Sequence, residues 1–299
     1  MKNIAQRYAR VIVVVAVLCG STSGIIGKLI TANAMAIGFY RLTLALPFFL
    51  LPVLFKKRHE LRAISRKDLV WSLVSGFFLF CHFFCWFTAV KSTTVASAII
   101  LADLHPIVVM LVTVIILHKK IPGPAAFGVF VALMGGGIVV GFDIRFSANH
   151  LSGDFFAIAT AIAMGVYFSI GGVLRKRVPA NAYILLVFSA CWFCFTLGMF
   201  VTKTPFFGYP KSDYLWLVVM TILCQLGAHA VLNWSMGFVS ALYVSAWETA
   251  EIVSASALAM VVLNETPGMS KVLGGIIVIC GLLYYNHHEN DRDALTNKV

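Results

Sequence analysis

The sequence predicts an all-α integral membrane protein, with ten transmembrane helices arranged as two inverted five-helix repeats. Three observations lead there: composition, the spacing of apolar runs, and an internal repeat. Of 299 residues, 60% are hydrophobic and only 12% charged, with a mean hydropathy of +0.92. Soluble domains carry about 25% charged residues, so lipid must be the solvent for most of this chain. At ~20 apolar residues per spanning helix, the length holds about ten spans and no extramembrane domain.

The apolar runs fall at approximately 11–31, 36–55, 69–90, 95–117, 125–142, 155–174, 182–202, 214–236, 239–263 and 271–287. Turn residues or charge bound each run, as at Lys56-Lys57-Arg58, Pro122-Gly123-Pro124 and Arg175-Lys176-Arg177. No run shows the alternation that a lipid-facing barrel requires. The stretch from Val11 to Ile30 is too long for a signal-peptide core and lacks a clear small-residue cleavage site, so it is expected to stay as the first span.

Charge sets the orientation. Of the 23 Lys and Arg, 16 fall on the side of the N-terminus and 5 on the other, with Lys28 and Arg41 inside spans. The richer side is expected to be cytoplasm, with both termini there and the protein in a bacterial inner membrane. The net charge of +11 sits in short clusters between apolar runs, from which no basic groove can be assembled, so no nucleic-acid partner is expected.

The chain also repeats. Val95-Ala96-Ser97-Ala98 through Gly135-Gly136-Gly137 parallels Ser240-Ala241-Leu242 through Cys280-Gly281. In that register Pro122-Gly123 meets Pro267-Gly268, and Asp103 falls opposite Glu248. Five spans per half is an odd number, so the second copy must enter the membrane from the opposite side. Inverted repeats of this kind are typical of secondary transporters.

These residues carry a family resemblance. Phe39-Tyr40-Arg41-Leu42, the small-residue start of the fourth span followed by His105-Pro106, Gly135-Gly136-Gly137, and Leu263-Asn264-Glu265 before Pro267-Gly268 resemble paired EamA-type domains of the drug/metabolite transporter superfamily. The repeats are expected over 8–143 and 152–287. The resemblance implies a carrier of small organic solutes, often directed outward. Two features depart from the family pattern: Lys119-Lys120 stands at the acidic position of the first repeat, and the proline of the fourth span is missing from the second, where Glu251 lies nearby.

Ionisable groups deep in a bilayer cost about 2.5–3.5 kcal/mol each and need a partner or a watery cavity. At 1.5 Å rise per residue, Asp103 and Glu248 each lie about 13 Å deep, reached from opposite faces. Two repeat-related acids converging on the centre point to a substrate site; the alternative is pairing with basic residues for packing. Glu248 and Glu251, three apart, are expected on one helix face, where two like charges suit proton exchange. Arg41 could hold a substrate carboxylate or snorkel to the headgroups. His105 precedes Pro106, which frees the Ala102 carbonyl and should kink the span near Asp103. Trp247, beside Glu248, could form a stacking wall, although helix neighbours point about 100° apart. The substrate-binding candidates are thus Arg41, Asp103, His105, Trp247, Glu248 and Glu251.

His82 and His229 read instead as hydrogen-bonded interior histidines, Lys28 as a snorkelling lysine, and Trp71 and Trp216 as interface anchors. The Cys81/Cys85 and Cys191/Cys194 pairs lie inside apolar spans that do not favour thiolate, so they read as packing residues. No catalytic residue, cofactor or metal is expected. The partners expected are a small-molecule substrate and membrane lipid, with a second copy of the chain as a candidate for a homodimer. A zwitterion such as an amino acid would match both the acids and Arg41. Two other classes stay open: a facilitative channel, and a membrane-embedded enzyme, for which H-E-x-x-H and G-x-S-x-G are absent.

Overall fold

A computed structural model describes residues 2–93, 95–140, 151–263 and 269–296. The final residues of the first expected repeat, 141–143, and the Asn264-Glu265 and Pro267-Gly268 steps lie outside the described residues. Within them the chain is all-α. The first half runs α1 (Lys2–Gly20), α2 (Ser23–Leu29), α3 (Ala34–Ala45), α4 (Pro47–Phe55), α5 (Arg58–Arg62), α6 (Arg66–Ser92), α7 (Val95–Ala102), α8 (His105–Leu111), a π segment (Val112–Ile116) and α9 (Gly123–Val140). The second half runs α10 (Leu151–Leu174), α11 (Ala180–Val201), α12 (Lys211–Met220), a longer π segment (Thr221–Ala230), α13 (Val231–Ser235), α14 (Ala241–Glu248), α15 (Glu251–Leu263) and α16 (Met269–Thr296).

Among the described residues, seven stretches are long and apolar enough to cross a membrane: Ile4–Leu29, Ala34–Phe55, Arg66–Ser92, Ala98–Ile116, Leu151–Leu174, Ala180–Val201 and Lys211–Ser235. Gly123–Ile138 is a shorter apolar helix, and α14–α15 and α16 occupy the ninth and tenth apolar runs. Large apolar side chains cover the outside, among them Phe48, Phe193, Phe200 and Leu215. Such a perimeter suits a hydrocarbon solvent and no aqueous one.

Side-chain caps start several helices. Asn33 accepts from Ala36 N at 3.0 Å to open α3, Ser65 from Asp68 N at 3.1 Å to open α6, and Ser240 from Tyr243 N at 2.9 Å to open α14. Each satisfies one of the amides a helix start leaves unpaired.

Packing follows a pattern of exchange between halves. α6 packs along α10, and the equivalent partnership with the halves swapped is α1 along the segment 221–230. Likewise α11 packs on α6 while the segment 221–230 packs on α3. Equivalent spans also meet each other: α3 packs on α11, α9 on α16, and α8 of the fourth run on α14 of the ninth. The α9–α16 seam is closest. A Cβ added at Gly128 would lie 2.7 Å from Tyr285 N, and one at Gly281 would lie 2.6 Å from Ala132 N. Only glycine lets two backbones approach so closely there.

Two breaks matter for the site. The fourth apolar run is interrupted at Asp103–Leu104, between α7 and α8, just ahead of Pro106. This is the kink expected from the missing proline N–H. The ninth run is interrupted at Thr249–Ala250, where no proline stands. There the backbone turns through i to i−3 bonds, Thr249 N to Ala246 O at 3.2 Å and Ala250 N to Trp247 O at 3.0 Å. The structure offers no side-chain cause for this second break.

Candidate functional site

The two breaks face each other across the packed α8–α14 pair and carry the buried acids with them. Asp103 ends the turn after α7, Glu248 closes α14, and Glu251 opens α15. Glu248 and Glu251 therefore converge through a break in the helix and not from one continuous face, which corrects the expectation from their spacing. Together with Arg41, His82, His105 and His229 they line one central cavity, along with Phe83, Trp86 and Met164. Its volume is about 50 Å³, room for about three to five waters at 10–15 Å³ each.

His105 sits between the acids. Its Nε2 is 3.3 Å from Glu248 Oε2 and 3.9 Å from Asp103 Oδ1, and its Nδ1 is 2.7 Å from Ser245 Oγ. One ring thus connects the acid of the first half to that of the second. Asp103 Oδ2 has no hydrogen-bond partner among the described residues. A buried acceptor without a protein partner, facing a polar cavity, is suited to bind a donor brought by a solute or by water.

Arg41 is 1% exposed. It does not snorkel. Its Nε donates to Gln225 Oε1 at 2.6 Å, and its guanidinium carbon lies 4.2 Å from the Phe83 ring centroid. The stacked plane and the single firm hydrogen bond leave a guanidinium nitrogen without a partner among the described residues. Arg41 and Glu251 line the same cavity. Lys28, by contrast, is exposed near the end of α2, as a snorkelling lysine would be.

Trp247 does not line the cavity. Its ring packs against Tyr243 at 6.2 Å between centroids, because the residue next to Glu248 on a helix points about 100° away. His82 and His229, read from the sequence as ordinary interior residues, do line it, with ring centroids 5.8 Å apart. Gln225 and Ser245, which orient Arg41 and His105, were not singled out by sequence reasoning. Gln225 and His229 lie in the π segment 221–230, a geometry enriched at functional sites but without a sequence signal of its own.

A family model described as the EamA-like transporter family matches residues 8–141 and, a second time, residues 151–286. The chain belongs to that family. It is an EamA-family membrane transporter, multi-pass, embedded in lipid and acting on a small molecule. One solved structure, described only as the crystal structure of a protein, is similar over 93% of this chain and 96% of its own, with a TM-score of 0.75 and 19% identity. At that identity it shows a shared fold and nothing of cargo.

In this EamA-family chain the two faces of the bundle are fastened differently, by equivalent residues. Asp213, fully buried in the first turn of α12, accepts from Thr31 N at 3.0 Å, Thr31 Oγ1 at 2.8 Å and Ala32 N at 2.9 Å. Lys91 braces the same turn by donating to Ile30 O at 3.0 Å and to Ala32 O. On the opposite face Asp68, in the first turn of α6, holds Arg177 at 2.6 Å, and the Arg177 side chain is 50% exposed. Each aspartate opens the third long helical rod of one half and grips the connection between the first two rods of the other half. The sequence signal exists in hindsight: Asp68-Leu69-Val70-Trp71 and Asp213-Tyr214-Leu215-Trp216 share Asp-x-x-Trp.

Proposed function

We propose that this protein exports a small organic solute, an amino acid or related zwitterion or cation, across the bacterial inner membrane by proton-coupled alternating access. Ten spans form two inverted repeats, 8–143 and 152–287, with both termini in the cytoplasm. The observation that carries the reading is the central cavity itself. Asp103, His105 and Arg41 from one half and Glu248 and Glu251 from the other line the same space.

Charged side chains are tolerable at that depth only in a solvated hollow or in mutual pairing. An ammonium group suits the carboxylates, and a carboxylate suits Arg41, whose fork is held flat by Phe83. Helix breaks on both sides supply hinges, and the exchange of packing partners between halves supplies two equivalent arrangements. The buried Asp213 fastening holds one face shut while the exposed Asp68–Arg177 pair spans the other loosely. A swap of these two roles would expose the cavity alternately. Outward direction rests on the resemblance to outward-directed members of the superfamily.

Proton coupling follows from three carboxyls lining one small cavity, where like charges are costly to ionise together. Transport of labelled amino acids into proteoliposomes, with and without an imposed pH gradient, tests it. The expected result is accumulation of at least one solute several-fold above its equilibrium level when the gradient is present. A saturable flux indifferent to the gradient would leave a facilitative carrier, and a linear flux would favour a channel.

A further inference from the structure

A second cavity, of about 400 Å³, lies on the side of the bundle that carries the N-terminus, the loop before α9 and the turn between α10 and α11. The charged side chains on its wall are Arg10, Lys119, Lys176 and Glu289, three cations and one acid. Two of the cations are aimed at one turn. The Arg10 guanidinium lies 5.4 Å from the Tyr243 ring centroid, and Lys176 Nζ donates to Val239 O at 3.0 Å. The acid is already engaged, since Ser240 Oγ donates to Glu289 Oε1 at 2.5 Å. Ser240, Ala241 and Leu242, the start of α14, complete the wall and add the positive end of a helix dipole.

The transport reading leaves this cluster unused. A cytoplasmic orientation requires cations in the loops, but not three of them converging on a cavity. Lys120 also reverses the charge found at the matching position of the second repeat, Glu265. We propose that this cavity is a binding site for a small anion, a carboxylate or phosphate group, held by Arg10, Lys119 and Lys176 above the first turn of α14. A cleft whose lining carries a surplus of positive charge concentrates anions, and here three cations outnumber the single acid Glu289. Charge-assisted bonds from an ammonium and a guanidinium to an oxyanion are about twice as strong as neutral ones. On the transport reading, on which this role rests, the site is an antechamber that selects solutes bearing an acidic group before they reach the central cavity. The same chemistry would serve an anionic lipid headgroup.

The test is equilibrium binding of inorganic phosphate and of succinate to the full chain in nanodiscs, by titration calorimetry, without any gradient. In purely zwitterionic lipid, saturable millimolar binding is expected. Lys119→Gln combined with Lys176→Gln should weaken it about tenfold, equivalent to one charge-assisted bond. Lys119→Gln alone, at an exposed position, should weaken it part-way, and Lys67→Gln, away from the cavity, should leave it unchanged. In nanodiscs containing phosphatidylglycerol, loss of phosphate binding would assign the site to a lipid headgroup, and unchanged binding would assign it to a soluble anion. Absence of saturable binding to wild type, or wild-type affinity in the double variant, overturns the proposal. Binding without transport would overturn the transport reading alone, and transport without anion binding would overturn this one alone.

Discussion

Arg41→Met is expected to cut amino-acid counterflow in proteoliposomes by at least about 100-fold while leaving the protein helical and monodisperse. Methionine leaves Gln225 Oε1, to which Arg41 Nε donates at 2.6 Å, without that donor, and a buried polar group left unpaired costs about 1–3 kcal/mol. The Phe83 ring 4.2 Å from the guanidinium also loses a contact worth about 2 kcal/mol when desolvated. At 1.4 kcal/mol per factor of ten, the combined loss corresponds to two orders of magnitude or more. Arg41→Lys should recover only part of the rate, since an ammonium keeps the charge without the planar fork that Gln225 and Phe83 orient. Wild-type counterflow in Arg41→Met would make Arg41 a packing residue with no part in solute binding.

Asp213→Ala is expected to open the face that Asp213 now holds shut. The substitution strands the amides of Thr31 and Ala32, both bound to the carboxylate at 2.9–3.0 Å. Ala32 is buried, and a buried amide left unpaired costs about 1–3 kcal/mol, enough to shift a two-state equilibrium by about tenfold. The readout is labelling of Ser23→Cys, on the cavity wall, by a membrane-impermeant maleimide in a background lacking the seven native cysteines. Labelling from the Asp213 side should rise at least about tenfold in the variant. Asp68→Ala should change it little, because an ion pair with an exposed arginine contributes about 0–1 kcal/mol. Equal labelling with and without Asp213 would mean that this network is packing and no gate.

Much of the candidate site's geometry was legible because burying charge in lipid is so costly that ionisable residues deep in a span must share a cavity or a partner. Asp103 and Glu248 could be paired from span depth and the internal repeat, and His105-Pro106 announced the first helix break. What stayed hidden depends on geometry that a 3.6-residue period does not describe. The break at Thr249–Ala250 has no proline, so Glu248 and Glu251 were expected on one face. The π segment 221–230 brings Gln225 and His229 into the interior without any breaker residue. Trp247 was misplaced for the opposite reason: closeness in sequence suggested closeness in space, whereas its side chain follows its own helix face to Tyr243. The Asp213 fastening escaped because its partners are mostly backbone amides, which carry no residue signature.

The central claim is that acids from both halves share one solute-binding hollow. The most direct measurement is saturable amino-acid counterflow in proteoliposomes by wild type and by the Asp103→Asn, Glu248→Gln double variant. Each substitution preserves side-chain size and removes only the capacity to ionise. The account predicts saturable counterflow in wild type and its loss to background in the variant. Undiminished counterflow in the variant would contradict it.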